Sequence, residues 1–322
     1  MPRASWCSSL TWRNRLGESP ANVRIVTSRR LLLVHAHPDD ESITTGATMA
    51  YYAAHGVRVT LLTCTLGEEG EVLVPEYALL AADEADQLGG LRISELEAAM
   101  AALGVTDHRW LGGAGRFRDS GMMGTPTNKH PRAFWRADED ETVFDAAVAA
   151  AVDVVREVRP QVVITYDTNG EYGHLDHIMA HRVATAAVEK AADPHYGSGE
   201  PWQVAKLYWT GTPKSVLRQG FDALATVQDR PFDVANIDEL PFGVDDDEIT
   251  TVIDATGFGA AKVTALEAHR TQVAVDGPFF ALSNMLGREI LAVEHFRLVQ
   301  GSLGPDRDAR GWETDLFSGV TT

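Results

Sequence analysis

Residues His35-Ala36-His37-Pro38-Asp39-Asp40-Glu41 bring two imidazoles and three carboxyl groups together directly after the apolar run Leu31-Leu32-Leu33-Val34. Three acids in one turn repel one another unless a cation neutralises them. His37 and Asp40 can reach one metal ion, which leaves Asp39 free beside it. A metal that binds water and a base that deprotonates it are the two working parts of a hydrolase.

A third ligand is expected from the stretch Tyr172-Gly173-His174-Leu175-Asp176-His177. His177 and His181 have the spacing of an HExxH pair, but Ile178 stands where the glutamate base belongs, so a zincin reading fails. His181 lies a full turn deeper in the helix and reads as a core or surface histidine. His177 completes the set His37, Asp40, His177, two imidazoles and one carboxylate with coordination positions left open. Structural zinc sites are usually closed by four protein ligands, so an open site points to catalysis. Zn2+ is the expected metal, and Fe2+ suits the same donors.

Asp39 is the expected general base, with helix capping as its other use. His174 is expected as a cationic imidazole facing a developing oxyanion or leaving amine. Asp176 either complements the helix dipole or tunes His174. Tyr172 is an active-site group or a packing residue. His35 shares a face with His37 by period two and reads as support behind the ligands. Glu71, Arg92 and Asp119 are candidate contacts to substrate hydroxyls, through charge-assisted hydrogen bonds. Each has surface charge or ion pairing as its alternative. His269 and His295 read as structural. Ser42 has no base arranged beside it, and Cys64 reads as a buried strand residue, so no covalent nucleophile is implied.

These side chains need elements to hold them. Leu31–His35 reads as a strand, Thr45–His55 as a helix, Val57–Thr65 as a strand, and Asp83–Leu103 as a long helix ended by Gly104. His108–Leu111 is a short strand, Glu141–Val158 an amphipathic helix stopped by Pro160, Gln161–Tyr166 a buried strand and Leu175–Ala192 a helix. Further on, Trp202–Thr212 contains a strand, Glu248–Asp254 is a strand, Gly259–Val273 a helix and Leu286–His295 another helix. The alternation predicts an α/β fold, a Rossmann-like, mostly parallel sheet with helices on both faces and a smaller C-terminal α+β lobe. Right-handed crossovers then set the strand C-terminal ends along one edge, where ligands bind. The boundaries expected are a disordered tail at 1–28, a metal-site domain at 29–200 and a lobe shaping the substrate pocket at 201–322.

Composition bounds the function. The chain has 322 residues, 44% hydrophobic and 23% charged, with a formal net charge of −18. That charge argues against nucleic acid and anionic membrane surfaces as partners. No apolar run reaches the ~18 residues of a spanning helix. The two cysteines, Cys7 and Cys64, give no basis for a disulfide, which fits a reducing, cytoplasmic setting. No stretch completes GxGxxG, and the acids after strand one would repel a pyrophosphate, which excludes a dinucleotide cofactor. No obligate protein partner is evident.

The AHPDDE run after a hydrophobic strand, with the later GHLDH run, resembles the zinc-dependent N-acetylglucosaminyl deacetylases of the LmbE and phosphatidylinositol-glycan class. The resemblance runs from about Arg30 to the C-terminus. Thr63–Val72, Ala85–Gly90, Leu111–Arg116, Arg118–Met122 and Gly311–Leu316 are similar to the mycothiol-pathway branch of that family. The resemblance implies deacetylation of a small amino-sugar inositol, N-acetylglucosaminyl-inositol, giving glucosaminyl-inositol and acetate. It implies metal ligands at His37, Asp40 and His177, the base at Asp39, a second catalytic imidazole at His174, a mobile tyrosine at Tyr172 and sugar or inositol contacts at Glu71, Arg92 and Asp119. The alternatives are a mycothiol S-conjugate amidase of the same fold, another N-acetyl sugar deacetylase, a non-haem Fe(II) oxygenase and a sugar-binding module without turnover.

Overall fold

The computed structural model describes residues 29–321 except 234, 235, 237–239 and 241; the tail expected at 1–28 lies outside the described residues. The first half runs β1 (Arg30–His35), α1 (Asp40–Thr44), α2 (Gly46–Ala54), β2 (Arg58–Thr63), α3 (Leu88–Leu103), β3 (Asp107–Trp110), α4 (Arg136–Glu139), α5 (Glu141–Val158), β4 (Val162–Thr165), α6 (Gly170–Gly173) and α7 (Leu175–Ala191). The second runs β5 (Lys206–Thr210), α8 (Lys214–Ala225), β6 (Thr251–Asp254), α9 (Gly259–Ala268), β7 (Ala274–Asp276), β8 (Phe279–Ala281), β9 (Arg288–Glu289) and β10 (Val293–Gln300).

Seven strands form one sheet in the order β3-β2-β1-β4-β5-β10-β6, and a small sheet has the order β7-β8-β9. β1 to β5 pair in parallel, while β10 runs antiparallel to both β5 and β6. The period of two sends Leu32, Val34 and Val163 into the core shared with α5 and α7, and Leu31, Leu33 and Ile164 into the core shared with α2, α3 and α9. α5 forms because Ala147, Val148, Ala151, Val152 and Val155 recur on one buried face, with the Asp140 carboxylate capping Thr142 N–H at 3.0 Å. Strand order reverses between β1 and β4, so the crevice between their C-terminal ends is the switch point at which such sheets bind ligands.

Three expectations need correction. The helix expected from Asp83 starts at Leu88, because Asp86 takes φ 53° and pairs with Arg118. Gly89 then sits where α3 meets Leu66 and Glu68, a Cβ there falling 2.8–2.9 Å from those side chains. Leu286–His295 is not helical but contains β9 and the start of β10. Tertiary pairing wins there, since β10 fills the gap between β5 and β6. The boundary at residue 200 cuts across the main sheet, to which β5, β6 and β10 belong. The smaller C-terminal cluster is instead built by α8 with the β7-β8-β9 sheet, around Leu217, Phe221, Leu224, Phe279 and Ala281. Among the described residues no helix is long and apolar enough to cross a membrane.

Candidate metal centre and catalytic edge

β1 delivers His37 and Asp39–Glu41 to the switch point, and β4 delivers Tyr166 and, after α6, the start of α7. Asp40 is the hub. Its Oδ2 accepts the His37 N–H and the Tyr166 hydroxyl, both at 2.8 Å, and lies 3.3 Å from His37 Nδ1. Its Oδ1 lies 3.3 Å from His177 Nε2. Burial alone would raise the Asp40 carboxyl, but His177 and His37 outweigh it and hold the group well below the usual carboxylate range. His35 stands behind, bonded through Nδ1 to Tyr166 Oη at 3.0 Å.

His177 is 1% exposed, and among the described residues neither ring nitrogen makes a well-formed hydrogen bond, Nε2 meeting only the Asp40 carboxylate at 3.3 Å. It stacks on Tyr166 with ring centroids 4.2 Å apart. A buried polar atom without a partner costs roughly 1–3 kcal/mol. A bound cation would remove that cost. Nitrogens of His37, His174 and His177 also converge within 4.8 Å of one another. Ligand atoms of His37, Asp119 and Asp176 converge in the same way, and Asp40 touches both His37 and His177, so this His/Asp cluster has the donors for a metal ion. Depleting metal with a chelator should lower the unfolding temperature of the wild type and leave His177→Ala almost unmoved; the difference corresponds to about 2.7 kcal/mol when free metal stands at about 100 Kd. Equal shifts in scanning calorimetry would contradict the assignment.

Two expected roles change. Burial, with His37 and His177 nearby, pulls the pKa of His174 down to about 3, which favours the neutral imidazole over the expected cation. Its Nδ1 accepts the Asp176 N–H at 3.2 Å, so the proton sits on Nε2 and His174 is a neutral donor. The Asp176 carboxylate does not serve His174. It meets His37 Nε2 at 3.3 Å and accepts from the Ser120 N–H at 2.8 Å and hydroxyl at 2.5 Å. Asp119 also faces His37 Nε2, at 3.6 Å, and accepts from Gly121 N–H at 2.8 Å.

Asp39 is 9% exposed and makes no capping bond with its side chain; its Oδ2 lies 3.1 Å from Arg92 Nη2. Burial raises its pKa to about 6, with Arg92 pulling the other way. Arg92 is buried, and its guanidinium also donates to Gly67 O at 2.8 Å and to Pro38 O. It contacts the expected base and also lines the cavity. Tyr172 is 37% exposed, its ring 5.0 Å from that of His177. Glu71 is exposed on the rim, its carbonyl accepting from Gln272 Nε2 at 3.1 Å. His181 bonds Tyr166 O at 2.9 Å and stays outside the cluster.

A cavity of about 680 Å³ brings these groups together. Its floor holds His37, Asp39, Asp40, Arg92, Asp119, Tyr172, His174 and His177. Its far wall comes from the C-terminal part of the chain, including Phe242, Phe280 and Arg288. Sequence reasoning missed Tyr166 as the support of Asp40, Ser120 as the partner of Asp176, and His269, whose Nε2 meets Glu41 Oε1 at 2.8 Å. Tyr166 alone had a local signal, its place at the end of β4.

The chain matches PIG-L, the GlcNAc-PI de-N-acetylase family, over residues 32–188. It is 63% identical over 297 residues to a protein of Geodermatophilus obscurus named 1D-myo-inositol 2-acetamido-2-deoxy-alpha-D-glucopyranoside deacetylase, covering 91% of this chain and 98% of that one. A protein of the same name from Acidothermus cellulolyticus is 61% identical, covering 91% and 95%. Among solved structures, the N,N'-diacetylchitobiose deacetylase of Pyrococcus horikoshii shares the fold, with a TM-score of 0.53, 17% identity and 85% of each chain covered.

Proposed function

The chain belongs to the PIG-L family of GlcNAc-PI de-N-acetylases, and from that membership we propose that it hydrolyses the N-acetyl group of 1D-myo-inositol 2-acetamido-2-deoxy-alpha-D-glucopyranoside. The products are acetate and glucosaminyl-inositol, a step of mycothiol biosynthesis. The observation that carries the reading is the buried His177 imidazole beside Asp40 and His37, its Nδ1 without a hydrogen bond among the described residues, with the Asp39 carboxylate facing the same cavity.

His37, Asp40 and His177 would hold the metal, a donor set that suits zinc and also Fe2+. When bound, the metal supplies a Lewis acid and makes water acidic enough to attack at neutral pH. Asp39 takes the proton of the attacking water as a new C–O bond forms at the acetyl carbon. The Nε2–H of His174, with the Tyr172 hydroxyl, donates to the oxyanion. Neutral His174 has no spare proton to give up, so Asp39 returns the proton it took to the leaving nitrogen as the C–N bond breaks. Asp176 and Asp119 orient the His37 ring. Glu71, Arg92 and Asp119 all line the cavity and are the candidates for contact with sugar and inositol hydroxyls, and Arg92 also pairs with Asp39.

The direct test is amine release from the inositol glycoside by metal-loaded protein. Release supports the reading. Inactivity there with cleavage of a mycothiol S-conjugate would transfer the site to the amidase reaction.

Two single residues separate the parts of this chemistry. Removing the oxyanion donor in His174→Ala should lower kcat by about 10²- to 10³-fold with metal content unchanged. The other concerns pH. Asp39 must be ionised to act, so activity falls as pH drops through its pKa, about 6 in the metal-free chain. A bound cation lowers it further, so the acid limb of kcat/KM lies at or below that value. Arg92→Met removes the charge that favours the carboxylate, and the limb should move to higher pH. A limb that stays in place would detach Arg92 from Asp39.

A further inference from the structure

Asp39 has φ 110° and ψ −35°, a conformation that side-chain-bearing residues rarely adopt. Such strain persists only where surrounding contacts hold it. The residue starts α1, its carbonyl accepting the Ser42 and Ile43 N–H groups, both at 2.9 Å. An aspartate in that place would ordinarily fold its carboxylate back onto the first N–H groups of the helix. Here it makes no such bond and faces the cavity.

Glu41 does the work that the Asp39 side chain leaves undone. Its Oε2 accepts the Asp39 N–H at 2.9 Å, and its Oε1 accepts from the Ser42 hydroxyl at 2.5 Å and from His269 Nε2 at 2.8 Å. Glu41 and His269 are both 0% exposed. His269 caps the C-terminus of α9, and its own backbone is fixed by bonds to Leu266, Gln272 and Val273. A residue more than two hundred positions away thus reaches the backbone of Asp39 through one carboxylate. Neither residue lines the cavity.

We propose that Glu41 and His269 are positioning residues, a buried clamp that keeps the Asp39 backbone in its strained form and so keeps its carboxylate off the helix and on the substrate. The inference rests on the assignment of Asp39 as the base. His269→Phe removes the donor to Glu41. It should lower kcat by about 100-fold while KM and metal stoichiometry stay near wild type, the pattern of a misplaced rather than absent group. His269→Gln, which keeps an N–H for Glu41, should recover part of that loss. The crystal structure of His269→Phe should show Asp39 at negative φ, its carboxylate capping α1.

Strain also has a readout without turnover. Glycine tolerates positive φ and alanine does not. Asp39→Gly should therefore melt at a higher temperature than Asp39→Ala. Wild-type kcat in His269→Phe, or unchanged φ at Asp39 in that variant, would overturn the clamp. So would Asp39→Ala melting at or above Asp39→Gly, and that comparison decides alone if His269→Phe does not fold. Full activity in Asp39→Asn would instead defeat the assignment of the base and leave the melting comparison standing.

Discussion

Asp39→Asn should reduce kcat/KM by about 10²- to 10⁴-fold, the range for loss of a positioned acid–base group. The value should fall at the upper end, because the proposed mechanism uses Asp39 in both proton transfers. The amide is nearly isosteric and keeps an oxygen for Arg92, 3.1 Å away in the wild type. His37, Asp40 and His177 are untouched, so metal content should remain at the wild-type value. Amine release and elemental analysis on the same preparation check both halves. Activity within about tenfold of wild type would move the base elsewhere in the cavity.

The second large effect is on stability. Glu313 is 0% exposed and pairs with Lys206 Nζ at 2.5 Å, accepts from Tyr208 Oη at 2.5 Å and holds Gly304 N–H at 2.6 Å. Lys206 opens β5 with 2% exposure, so its ammonium has no route to water. Glu313→Ala leaves that charge buried and unpaired, which costs about 3–5 kcal/mol. Lys206→Met combined with Glu313→Gln removes both charges and should recover much of the loss. Urea midpoints at constant m-value measure both. A loss below about 1 kcal/mol for Glu313→Ala would mean that the pair is solvated.

Legibility from sequence followed locality. The run from His37 to Glu41 was readable because a strand and the turn after it are short-range events, and acids crowded into one turn call for a cation wherever the rest of the chain goes. His177 was readable from helical spacing against His174 and His181. The start of α3 was not, because Asp86 leaves helical geometry to meet Arg118 across the fold. The partner of Asp176 was hidden likewise. It lies two positions from His174, but its carboxylate spans 56 positions to Ser120 and 139 to His37. The pairing of Arg92 with Asp39 had no local signal either, since it joins α3 to the turn after β1. β10 carried no mark of the slot it fills, since that slot exists only once β5 and β6 are in place.

The cavity draws its lining from two separate sheets. The reacting edge hangs from the parallel strands β1 and β4, gripped on both sides by neighbours in the sheet. The facing wall, with Phe280 and Arg288, rides on the separate β7-β8-β9 sheet. Selection can therefore rewrite one wall and leave the other alone. A lineage can drift toward new amides by exchanging the outer strands while the hydrolytic edge is inherited intact. Grafting residues 274–290 between relatives should thus move substrate preference and spare metal affinity.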